Sequence, residues 1–87
     1  MYNGGLYMII KEGYVCTATN NDDGQLVYFY NDNEYSGGFP SKVTWFETKY
    51  MLKTREDAES SLKHWYEPAY QKLCSNFRIR KVTIEME

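Results

Sequence analysis

The residues able to do chemistry are few. The chain carries one histidine, His64, and two cysteines, Cys16 and Cys74. One histidine excludes a metal site of several imidazoles within a single chain, and no Cys-x-x-Cys pair supplies a thiolate clamp. His64 lies between Lys63 and Trp65 on the polar side of what reads as a helix, a solvated surface position. Cys74 reads as part of the same helix; at about 100° per residue the two side chains leave on different faces, which makes a poor nucleophile–base pair. Asp22, Asp23, Asp32 and Glu34 sit in turn-like segments that do not match a calcium loop with its terminal glutamate. Gly4-Gly5 and Gly37-Gly38 lack the further glycine and lysine of a phosphate cradle. Without a nucleophile, base and orienting group in one pattern, the expectation is a protein that is not an enzyme and holds no cofactor or metal.

Composition narrows the remaining classes. The 87 residues are 43% hydrophobic and 25% charged, too apolar for a disordered chain. They suit one domain, residues 1–87, with one modest core. A net charge of −2 leaves no basic excess with which to release counterions from a nucleic acid, so direct nucleic-acid binding is disfavoured. No apolar run approaches the roughly 18 to 20 residues of a membrane span, and the N-terminus lacks the charged-then-apolar pattern of a secretion signal. The expected location is the cytoplasm, where Cys16 and Cys74 read as partly buried free thiols, with a single disulfide between them left open.

The elements that would position any site follow from pattern. Leu6–Ile10 and Tyr14–Thr19 read as two strands joined by a turn at Lys11-Glu12-Gly13. Asn20–Gly24 is a second hairpin turn, leading to a strand over Gln25–Tyr30. Asn31–Ser41 reads as the longest loop, followed by strand character over Lys42–Glu47 that continues, after a break, into Tyr50–Leu52. Thr54-Arg55-Glu56-Asp57 has the spacing of a capped helix start. The buried stripe predicted beyond it is Ala58, Leu62, Trp65, Tyr66, Ala69 and Leu73, with a kink at Pro68, whose ring crowds the carbonyl of His64. Arg78–Met86 is the last strand, with Ile79 out of phase in a way that hints at a bulge. The sum is an α+β fold: an antiparallel sheet of four to five strands with one helix on one face, in the order βββ(β)αβ, and the last strand beside the first.

That layout leaves an excess of apolar surface. Nine tyrosines contribute to an aromatic fraction of 17%, and the strands alternate apolar with apolar rather than apolar with polar. One helix covers one face. The other would present Tyr28, Tyr30 and Trp45, and contiguous apolar patches of this kind mark interaction sites. The functional expectation is a protein-binding domain contacting its partner through Tyr28, Tyr30, Tyr35 and Trp45, with the acidic turns Asp22, Asp23, Asp32 and Glu34 meeting a basic groove. Against it stands the alternative that Asn31–Ser41 folds back and buries that face. Two further uses remain: homodimerisation by sheet packing or edge pairing, and single-stranded nucleic-acid binding with Lys42, Arg78, Arg80 and Lys81 on phosphates.

In the capped acidic helix start Lys53-Thr54-Arg55-Glu56-Asp57-Ala58-Glu59, and in its frame of short strands, one helix and a charged last strand, the chain resembles many short phage and mobile-element proteins. The resemblance is one of layout and carries no family site residues across. It implies a class that includes anti-defence inhibitors such as anti-CRISPR proteins, which act by occupying a surface on a host nuclease complex.

Overall fold

The computed structural model describes residues 9–31 and 40–86. Within them the fold is α+β: one antiparallel sheet of four strands, in the order β3-β2-β1-β4, with one helix running over residues 55–70. The strands are β1 (Ile9–Asn20), β2 (Leu26–Asn31), β3 (Pro40–Val43) and β4 (Cys74–Met86). The last strand does lie beside the first, pairing from Ile9–Met86 to Thr17–Arg78 in one unbroken register.

The turn at Asn20–Gly24 forms as its residues dictate. Gly24 adopts a φ of 74°, the left-handed region glycine enters at no steric cost, and its N–H donates to the Asn20 carbonyl at 2.8 Å. Asp23 accepts from the Gln25 N–H at 3.0 Å and from the Asn20 side chain at 3.1 Å.

No turn occurs at Lys11-Glu12-Gly13, however. These residues lie inside β1, because the long β4 offers them a continuous ladder, with Gly13 opposite Val82. Of the strand expected over Leu6–Ile10, residues 6–8 lie outside the described residues and Ile9 and Ile10 belong to β1. Gly13 serves close approach instead: a Cβ there would sit 2.8 Å from the Leu52 carbonyl oxygen and 2.8 Å from Met51 Cε.

Ile79 marks no bulge either. The irregularity falls between Thr17–Arg78 and Thr19–Ser75, where Asn76 takes a φ of 53°. Ile79 stands opposite Cys16 and packs toward the helix, whereas Val82 and Ile84 share the other face with Gly13 and Lys11. The apolar side of β4 changes because what covers it changes.

The helix starts where expected. Thr54 accepts the Asp57 N–H on its hydroxyl at 3.0 Å, and α1 spans Arg55–Ser61. Leu62–Tyr66 then forms a π turn, with the Glu67 N–H donating to the Leu62 carbonyl, before α2 (Glu67–Tyr70). Pro68 has no N–H to give, and the wider turn just before it absorbs the interruption. The consequence is a rotated face. Ala58 and Tyr66 are buried and Leu62 and Tyr70 half-buried, a step of four, while Trp65, Ala69 and Leu73 are exposed. The expected stripe therefore holds only as far as Leu62 and Tyr66.

Under the helix lies the core of Cys16, Ala18, Val27, Phe29, Ala58, Tyr66 and Cys74. The Phe29 ring stacks on Tyr66 and Tyr70, each at 5.3 Å between centroids, and on Phe77 at 5.9 Å. Both cysteines are free buried thiols, and Cys16 donates through Sγ to the Ala58 carbonyl at 3.3 Å.

Candidate functional site

The second sheet face is not open. Strand character stops at Val43, and the chain leaves the sheet to cross beneath it through Thr44–Glu47 and a 3-10 turn at Thr48–Tyr50. Phe46 packs on Tyr28 at 5.7 Å between centroids, and Tyr50 stacks on Tyr30 at 4.5 Å with the planes 12° apart. Beneath this strap Val15 and Thr17 are fully buried, and the Thr17 hydroxyl is satisfied by the Arg80 Nε at 3.0 Å. Tyr28 and Tyr30, expected as open contact residues, are thus half-buried under the chain's own aromatic residues.

Glu47 pins the strap. Its Oε2 accepts from Trp45 Nε1 at 2.8 Å and from the Tyr50 hydroxyl at 2.9 Å. Those two bonds, the Trp45 donor first, hold the Glu47 carboxyl below the usual carboxylate range. The Tyr50 phenol, buried and tied to that carboxylate, is pushed up to about 12. Trp45 keeps 55% of its surface exposed despite its hydrogen bond.

The two covers meet where β2 leaves β1. Beyond the Cys16–Phe29 pair, Tyr14 bonds to Leu52 instead of to β2: the Tyr14 N–H donates to the Leu52 carbonyl at 2.8 Å, and the Leu52 N–H returns to Tyr14 at 2.7 Å. Leu52 wedges the strands apart and opens a pocket of about 260 Å³. Tyr30, Tyr50, Trp65 and Tyr66 supply its rings, and Asn31, Lys49 and Ser61 its polar groups. Asn31 Oδ1 is buried without a hydrogen-bond partner, the one such side-chain atom among the described residues. A buried amide oxygen left unpaired costs free energy, so this atom favours an incoming donor. Lys49 Nζ stands 5.4 Å from the Tyr30 ring centroid and 3.9 Å from Glu47 Oε1, both exposed side chains in high dielectric. Trp65 stands on the rim with 53% of its surface exposed.

The expected site residues do not gather. Tyr30 lines the pocket, Tyr28 lies under Phe46, and Trp45 stands beside Glu47. Asp22 and Asp23 sit on an exposed turn at the other end of β2, the length of a six-residue strand away. Tyr35, Asp32 and Glu34 lie outside the described residues. Sequence reasoning missed Asn31, Lys49, Tyr50, Ser61 and Trp65. Pro68 was the available signal for Trp65, since a helix adjusting to a proline can rotate everything near it.

No group of three or more histidine, cysteine, aspartate or glutamate side chains gathers among the described residues. No helix among them is long and apolar enough to cross a membrane. Compared with protein-family models, curated proteins and solved structures, the chain matches none.

Proposed function

We propose that this chain is a non-catalytic protein-binding domain that seats an arginine of a basic partner surface in the pocket between strap and helix. The unpartnered buried oxygen of Asn31 carries the reading. A guanidinium donates to such an acceptor while its plane stacks on an aromatic face, which the exposed Trp65 provides beside the half-buried Tyr30, with the buried Tyr50 and Tyr66 completing the pocket wall. Lys49 already places a cation near the Tyr30 ring and, being flexible and exposed, is displaced as the arginine enters. The exposed Trp45 and Trp65 supply contact area around the seat, and the net charge of −2 favours a basic partner.

The layout shared with short phage proteins directs the same reading to a target class, a host-defence nuclease complex whose nucleic-acid groove presents arginines. Inhibition then works by occupying that groove.

The seat is tested by titrating the isotope-labelled protein with an arginine-rich peptide and its lysine counterpart, following the Trp65 indole and Asn31 amide signals by NMR. The arginine peptide should shift both saturably, and Lys49→Ala should tighten its binding. Equal response to the lysine peptide, or shifts confined to Asp22 and Asp23, would sink the seat. Cleavage assays on purified RNA-guided nuclease complexes test the target class. Inhibition by the wild type should be lost in Trp65→Ala, and equal inhibition by both proteins counts against this surface.

A further inference from the structure

The far edge of the sheet carries a separate signal. β4 is the outermost strand, bonded to β1 on one side and to no strand on the other among the described residues. Long exposed edges template pairing with another chain unless prolines, bulges or awkward charges block them. β4 contains no proline, and its irregularity is confined to Asn76 at its start. The helix packs on Cys74, Phe77 and Ile79, so the stretch from Arg80 to Met86 extends past it. There Lys81, Thr83 and Glu85 are exposed on one face, and Val82 and Ile84 half-buried on the other.

We propose that two copies of this chain join edge to edge through β4, antiparallel about a twofold axis at Thr83, making one sheet of the two. An axis perpendicular to a sheet preserves its faces, so each residue must meet one of the same alternation. With Thr83 opposite itself, Val82 meets the partner's Ile84 and Lys81 meets the partner's Glu85, each pair occurring twice. Threonine pairs, β-branched pairs and opposite charges are the combinations that stabilise neighbouring strands. The neighbouring registers do worse. Centring on Lys81 sets two lysines face to face, centring on Val82 leaves Lys81 opposite threonine and Glu85 opposite Ile79, and centring on Ile84 leaves Glu85 opposite threonine and shortens the paired stretch to residues 82–86 of those described. Charge complementarity thus selects both the occupant and the register. The proposed dimer does not depend on the arginine seat.

Sedimentation equilibrium of the full chain, with charge reversals, provides the test. The wild type should show reversible association to twice the 10.3 kDa chain mass. Lys81→Glu alone and Glu85→Lys alone each place like charges opposite one another twice, and each should weaken association by about tenfold or more. The double swap, Lys81→Glu with Glu85→Lys, should restore it, which separates pairing from misfolding. Trp65→Ala should leave it unchanged. A wild type that stays monomeric at millimolar concentration, a dimer indifferent to the single reversals, or a double swap no better than the singles would overturn the proposal.

Discussion

Gly13 has no side chain where Met51 and Leu52 pass across β1, and the strap depends on that clearance. A methyl group there meets the Leu52 carbonyl at 2.8 Å, and backbone yields less readily than a side-chain end. Gly13→Ala should therefore cost about 1 to 3 kcal/mol in urea unfolding; an unchanged midpoint would mean that the strap rides clear of Gly13. The ionisable residues make a second prediction. Burial pushes the Cys16 thiol up to about 12, and likewise the Tyr66 and Tyr50 phenols, with Glu47 adding to the last. Between their ordinary values and about 12 the unfolded chain sheds these protons while the folded chain keeps them, so stability is full below about pH 9 and falls as pH rises. Midpoints measured from pH 8 to 11 should decline, with Tyr50→Phe flattening the upper part. A flat profile would contradict the burial of these groups. By the same reasoning, Cys16 should resist thiol reagents until the chain unfolds.

Among the elements, the helix separates what local pattern determines from what packing determines. Thr54 caps it, Ala58 and Leu62 face inward, and His64 lies on the polar side, all legible from spacing alone. The π turn was not, because a period of 3.6 carried through Pro68 puts Trp65 with the core and Tyr70 outside it. Tyr66→Ala should cost about 3 to 5 kcal/mol, as removal of a buried aromatic does, while Trp65→Ala costs about 1 kcal/mol or less. Equal losses would restore the regular helix. The strands show the same division. The Asn20–Gly24 turn follows from residues that accept its backbone angles, whereas Lys11-Glu12-Gly13 looked like a turn and is strand, since a ladder to a segment some 70 positions away outweighs a local preference.

Across the whole molecule, the apolar excess of the strands finds its cover inside the chain. Phe46 and Tyr50 lie against Tyr28 and Tyr30 much as Tyr66 and Tyr70 lie against Phe29. The sequence displays two apolar sheet faces, but Lys42–Glu47, continued after a break into Tyr50–Leu52, reads as one more strand because Val43, Trp45 and Phe46 have strand-like side chains. Only the crossing at Gly13 and the Tyr14–Leu52 bridge assign that segment to the other side. At the seam where strap, helix and diverging strands meet, Trp65 stays exposed while Tyr50 and Tyr66 are buried, and Trp45 is exposed beside Glu47. Hydroxyl-radical footprinting, with each rate normalised to that in the urea-unfolded chain, reads this arrangement ring by ring. Trp45 and Trp65 should oxidise at nearly their unfolded rates, Tyr28 and Tyr30 several times more slowly, and Tyr50, Tyr66 and Phe29 slowest. Tyr28 and Tyr30 oxidising as fast as Trp45 would mean that the second face stands open.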